Sequence, residues 1–196
     1  MLKKIISSMI IFGLLVVSAT ALNAADMPSK KKKQTPQGLY LSPKEANDMI
    51  TADAAKILFV DVRTPEELYF VGHAKGIDKN VPLAYVDYSR LNKKGKKFAS
   101  AKNKKFVEQI ESALKEKGLS KDDKIILICR SGDRSASGAK ILDKAGYKNV
   151  YTVITGTEGD KDKETKKRTV NGWKNDGMPW NYKFNKNVFQ YEKPFK

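Results

Sequence analysis

Lys124-Ile125-Ile126-Leu127-Ile128-Cys129-Arg130-Ser131-Gly132-Asp133-Arg134-Ser135 sets the chain's one cysteine between an apolar run and a basic, glycine-containing turn. Ile125 to Ile128 is a continuous apolar run, the pattern of a strand buried on both faces in a parallel sheet. From Arg134 to Ala145, the residues Ala136, Ala139, Leu142 and Ala145 fall on one side of a helix that Gly146 closes. Cys129 therefore sits at the carboxyl end of a strand and just ahead of a helix. Open α/β sheets bind ligands at such places. The N–H groups of a loop entering a helix converge on one spot, and the helix dipole favours an anion there. Arg130 and Arg134 add positive charge. Gly132 allows a tight turn, and Ser131 and Ser135 can donate hydrogen bonds or cap the helix. A thiol so placed is expected as the thiolate, the nucleophilic form. An isolated cysteine is more often a buried core residue, but the arginines and glycine around this one favour chemistry.

Similar patterns lie on either side. Ser42-Pro43-Lys44-Glu45 is a capping box with proline at the first helical position, which predicts a helix over about 43–54. Ile57-Leu58-Phe59-Val60 reads as a second buried strand, ending at Asp61-Val62-Arg63. Thr64 caps a short helix starting at Pro65-Glu66-Glu67. Gly72-His73 and Gly76 mark a loop, and Val81-Pro82-Leu83 is at most a short strand. Residues 93–105 look exposed, and Phe106, Val107, Ile110 and Leu114 follow helical spacing up to Gly118. Val150 to Ile154 is a third strand. Strands alternating with helices give an α/β class with a mainly parallel sheet.

The 196 residues suit one α/β domain with extensions. Residues 1–25 read as a cleaved signal peptide: Lys3 and Lys4, then uncharged apolar and small residues from Ile5 to Ala21, then Ala24-Ala25. An uncleaved N-terminal anchor is the alternative. Export implies the periplasm as the expected location. Residues 26–39, with Lys30 to Lys33, Pro28, Pro36 and Gly38, read as a flexible basic linker. The domain is expected over 40–180, with a polar insert at about 159–170 and a basic, aromatic tail over 181–196. A net charge of +16 could favour nucleic acid, anionic lipid or small anions. The linker has no aromatics to stack on bases, so nucleic acid is not expected. Weak contact with an anionic surface through the linker is compatible with the charge. One cysteine permits no internal disulfide, and one histidine with one cysteine makes a zinc site unexpected.

Asp61-Val62-Arg63 with Glu67, Gly72-His73, the Cys129 to Ser135 loop, Gly146 to Tyr151 and Gly172-Trp173 together resemble a rhodanese domain. The resemblance covers about residues 40–180. It implies a doubly wound α/β fold with a mainly five-stranded parallel sheet flanked by helices. It also implies a sulfurtransferase that needs no cofactor. The Cys129 thiolate would take the outer sulfur of a small anionic donor such as thiosulfate or polysulfide. A thiol or protein acceptor would then remove it from the persulfide. Arg130, Ser131, Gly132, Asp133, Arg134 and Ser135 would form the donor-binding loop, its amides cradling the sulfur. Four residues separate Cys129 from Arg134; the phosphatase branch of this fold has five, making room for a tetrahedral phosphate. Asp61, Arg63, Glu67 and His73 would support the site, with Arg63 pairing an acid such as Glu67. Trp173 and Trp180 read as packing residues. Two departures from the family pattern stand out. The Gly-His turn continues as Ala74-Lys75-Gly76-Ile77, and the insert interrupts the path into the last segment near the expected mouth of the site. Asp133 also offsets part of the arginine charge. The insert leaves donor and acceptor identity open, and with the basic tail it motivates the alternative function, a sulfur carrier or protein-binding module without turnover.

Overall fold

The computed structural model describes residues 25–189. The signal-peptide reading of 1–25 therefore lies almost wholly outside the described residues, as does the end of the tail. Thirteen regular elements follow the 3-10 turn Lys31–Lys33. They are β1 (Tyr40–Leu41), α1 (Pro43–Asp53), β2 (Ile57–Asp61), α2 (Pro65–Val71), β3 (His73–Ala74), β4 (Lys79–Asn80) and β5 (Ala84–Leu91). After these come β6 (Phe98–Lys102), α3 (Phe106–Glu116), β7 (Lys124–Ile128), α4 (Asp133–Lys144), β8 (Val150–Val153) and β9 (Trp180–Asn181).

The main sheet has five strands in the order β1-β8-β7-β2-β4, every pair parallel. This is the expected α/β architecture. Register follows from the apolar runs: Leu58 lies beside Ile125 and Val60 beside Leu127. Because side chains alternate across a strand, each run feeds two cores. Leu58, Val60, Ile125 and Leu127 pack with Phe106, Ile110 and Leu142, from α3 and α4. Ile57, Phe59, Ile126 and Ile128 pack on the other face with Ala46 and Met49 of α1, Leu68 of α2 and Trp173. Helices on both faces make the sheet doubly wound.

Local chemistry sets the helix ends. Ser42 Oγ accepts from the Glu45 N–H at 3.2 Å, and the Glu45 carboxylate accepts from the Ser42 N–H at 2.7 Å. Thr64 and Glu67 form the same reciprocal box at the start of α2, with proline next to the cap. Each cap satisfies N–H groups the helix itself cannot reach.

Three segments differ from their sequence reading. β5 and β6 form an exposed antiparallel hairpin where only an exposed stretch was legible. Residues 26–39 lie against the domain. Lys33 is 7% exposed, its Nζ donates to the Ile154 carbonyl at 3.0 Å, and Gln37 donates to the Ala139 carbonyl at 3.0 Å. At the other end β9 pairs antiparallel with β3, and Val188 is buried in the second core. Both segments gain contacts from residues more than a hundred positions away, which no local pattern encodes.

Candidate active site

Cys129 follows directly on β7 and is 1% exposed. The chain then turns through Arg130, Ser131 and Gly132 into α4. Gly132 has φ +93°, and a Cβ there would lie 2.2 Å from the Ile154 carbonyl oxygen. A side chain at this position would have to push the backbone apart. The Gly132 N–H donates to Cys129 Sγ at 3.2 Å. Ser135, in the first turn of α4, stands with its Oγ 3.6 Å from the sulfur and donates to the Gly132 carbonyl at 3.0 Å.

A second loop fixes the aim of the first. Leaving β8, residues 154–159 run alongside it. The Thr157 N–H donates to the Cys129 carbonyl at 2.7 Å, and those of Glu158 and Gly159 donate to the Arg130 carbonyl at 2.9 and 3.1 Å. In a planar trans peptide, a C=O and the N–H that follows it point opposite ways. Drawing these two carbonyls toward the bracing loop turns the N–H groups of Arg130 and Ser131 away from it. Gly156 allows the loops to meet: at φ +67°, a Cβ would lie 2.2 Å from the Cys129 oxygen and 2.6 Å from the Ser131 nitrogen. The brace is itself anchored by Trp173 and Lys174, whose N–H groups donate to Gly156 and Thr157 at 2.8 and 3.0 Å. Sequence reasoning missed the brace. The spacing of Gly156 and Gly159 hinted at a turn but did not say which loop it would touch.

Arg134 reaches back over the loop to α2. Its Nη1 and Nη2 donate to the two carboxylate oxygens of Glu67 at 2.6 and 2.7 Å. Burial pushes the Glu67 carboxyl up, but the hydrogen bonds and charge of Arg134 outweigh it and hold the group below its ordinary value. The same pairing holds the Arg134 guanidinium above its ordinary value despite burial. The expected Arg63–Glu67 pair does not form. Arg63 takes Asp61 instead, with Nε and Nη2 at 2.9 and 2.7 Å from Asp61 Oδ2 and both side chains fully buried. Two residues apart in extended chain, they fall on one side and pair locally, which leaves Glu67 to Arg134. Arg63 also donates to the Gly72 carbonyl, and Asn80 Nδ2 to the carbonyls of Asp61 and Arg63 at 2.9 and 2.8 Å. Asn80, not singled out in the sequence, therefore ties β4 to this knot.

Among the loop cations, Arg130 is exposed and has no ion pair among the described residues, while Asp133 is paired with Lys32 at 2.6 Å. His73 is buried in β3. Its Nδ1 hydrogen-bonds to the Ala74 carbonyl at 3.0 Å, and none of its hydrogen-bond partners belongs to the Cys129 loop. The structure thus gathers Cys129, Gly132, Ser135, Arg134 and Glu67, and sets Asp61, Arg63 and His73 behind them. An anionic sulfur at Cys129 would meet a backbone N–H and the loop end of a helix.

The model of the rhodanese-like domain matches residues 42–163. The chain belongs to the rhodanese-like domain family. An uncharacterized protein of Rickettsia prowazekii is 34% identical over 124 residues, which are 63% of this chain and 81% of that protein. The chloroplastic thiosulfate sulfurtransferase 16 of Arabidopsis thaliana is 35% identical over 98 residues, covering 50% of this chain and 68% of the plant protein. A crystal structure from M. tuberculosis superimposes with a TM-score of 0.53 at 26% identity, covering 74% of this chain and 97% of that one. This rhodanese-like domain therefore shares its family with sulfurtransferases, and the fold positions its cysteine at the sheet's ligand-binding end.

Proposed function

We propose that this rhodanese-like domain transfers sulfane sulfur through a persulfide on Cys129. The observation that carries the reading is the Gly132 N–H directed at Cys129 Sγ, at the mouth of a helix. The thiolate attacks the outer sulfur of thiosulfate, and the sulfur–sulfur bond of the donor breaks. Its electron pair leaves with sulfite, and Cys129 holds the transferred sulfur. A thiolate or other thiophilic acceptor then attacks that sulfur, and the Cys129 thiolate leaves as it was. The loop amides stabilise the charge on the outer sulfur, Ser135 joins them when its hydroxyl turns from the Gly132 carbonyl to the sulfur, and Arg130 attracts the donor.

One observation favours a variant of this reading. Arg134 is neutralised by Glu67 and Asp133 stands on the loop, so Arg130 is the loop cation left to draw a free dianion. Affinity for free thiosulfate is then modest, and delivery to or from a protein partner becomes the better-served route. The proposed setting is the periplasm, supported by the basic and apolar pattern of residues 3–21.

Intact mass of the protein purified from the cell envelope tests both. The expected mass corresponds to a chain cut near Ala25. Incubation with thiosulfate or polysulfide adds about one sulfur atom, removable by reductant and absent in Cys129→Ser. No gain from any sulfane donor would refute the persulfide, and an intact N-terminus would refute cleavage.

A further inference from the structure

Beside the Cys129 loop lies a cleft of about 290 Å³, enclosed by the arm at residues 30–33 and the insert at 160–168. Lys30, Lys32, Lys33, Lys161 and Arg168 line it, against two carboxylates, Asp133 and Asp160. The carboxylates are already shared out. Asp133 lies 2.6 Å from Lys32, and Asp160 lies 3.2 Å from Lys30 and 3.8 Å from Lys33. Two features make this more than a solvated basic face. Lys33 is almost wholly buried, yet among the described residues its ammonium has only a carbonyl at hydrogen-bond distance and a carboxylate at 3.8 Å. Burying an ammonium is costly unless it is well paired. Lys161 and Arg168 also stand directly opposite each other in an antiparallel bridge. Like charges in that position destabilise a strand pair. Arg168 Nη1 donates to the Gly159 carbonyl, and neither Lys161 nor Arg168 has an ion pair among the described residues.

We propose that this cleft is a second anion site, separate from the sulfur on Cys129, and that it takes a multivalent phosphoryl group. Three properties point to that class. The positive charges exceed the carboxylates, which calls for more than one negative charge on the ligand. The space is several times that of one water, about 30 Å³ in the liquid, so it holds a group larger than a simple ion. Among the described residues no aromatic side chain lines the cleft, so it offers none of them as the stacking platform a nucleobase needs. A bound phosphoryl group clamps the arm to the insert. It also touches Ser131, two residues from Cys129, and so comes next to the loop that carries the chemistry.

Titration calorimetry of the full chain with sodium pyrophosphate at low salt tests the site. One saturable site is expected, weakening as salt rises. The double variant Lys161→Ala, Arg168→Ala should bind at least tenfold more weakly and Lys161→Ala alone a few-fold more weakly, both retaining cooperative thermal unfolding. Cys129→Ser should bind as the wild type does, which keeps this result independent of the persulfide. Sedimentation with phosphatidylcholine vesicles containing phosphatidic acid distinguishes the source. Co-sedimentation that pyrophosphate and the double variant abolish assigns a lipid headgroup; its absence, with pyrophosphate still bound, assigns a free phosphoryl anion. No saturable heat with pyrophosphate, or equal affinity in the double variant, overturns the proposal.

Discussion

Replacing Glu67 with glutamine removes the counter-charge of Arg134 while keeping an oxygen for the Thr64 cap. The side chains of the pair are 29% and 22% exposed, neither surface nor core. Breaking a fully buried pair costs about 3–5 kcal/mol, and a fully exposed one contributes about 0–1 kcal/mol. Two charge-assisted bonds in this half-buried setting place the loss at about 2 kcal/mol. With a urea slope of about 2 kcal/mol per molar, the unfolding midpoint should drop by about 1 M. The pH dependence gives a sharper test. In the folded protein burial raises the Glu67 carboxyl, but Arg134 prevails and holds it below its ordinary 4.5. A depressed carboxyl contributes stability that is complete above its unfolded value and is lost as pH falls through its folded value. The gap between wild type and Glu67→Gln should therefore be widest near neutrality and close as pH falls below 4.5. Freeing Arg134 should also lower the KM for thiosulfate, by roughly fivefold for a gain of about 1 kcal/mol. Urea melts of both proteins across the acid range read the first effect, and steady-state kinetics the second. Equal midpoints at neutral pH, or a gap that persists undiminished in acid, would refute the reasoning.

Two further changes probe the framework. Gly156→Ala forces a Cβ onto the Cys129 carbonyl at a positive φ; we expect a loss of about 2–4 kcal/mol in thermal or urea unfolding and little persulfide on mass analysis. Wild-type persulfide formation in that variant would show that the brace does not aim the loop. Trp173→Ala removes a fully buried indole packed 5.4 Å, ring to ring, from Phe59, and should cost about 3–5 kcal/mol by urea melt. A cost below about 1 kcal/mol would mean that the ring is not part of the core.

The strands at the centre of the sheet were legible because a strand buried on both faces must be apolar throughout. Ile57 to Val60 and Ile125 to Ile128 satisfy that, and their ends mark where the chain leaves the sheet. The capping residues Ser42 and Thr64 were legible because their partners lie three residues on. What escaped reading depends on distant contacts. The β5–β6 hairpin is exposed, so burial imposed no alternation on Ala84 to Lys102. The lysine run looked like a tether, since the Ile154 carbonyl that receives Lys33 lies on another segment. At the site, the Cys129 loop could be recognised from its own residues. Neither its tie to α2 through Glu67 nor its brace at Thr157 has a local signature.

The peptide planes of the Cys129 loop have a consequence for how such a site can vary. The carbonyls of Cys129 and Arg130 are held by N–H groups of Thr157, Glu158 and Gly159, so the orientation of the loop's amides depends on backbone rather than on side-chain identity. Arg130 and Ser131 can then be exchanged without dismantling the cradle around the sulfur. Preference for a donor or acceptor and the ability to hold an anionic sulfur are thus written in separate parts of the loop. The first can drift by single substitutions. The second changes when a glycine of the loop or its brace is lost, at Gly132, Gly156 or Gly159, where the chain has no room for a Cβ.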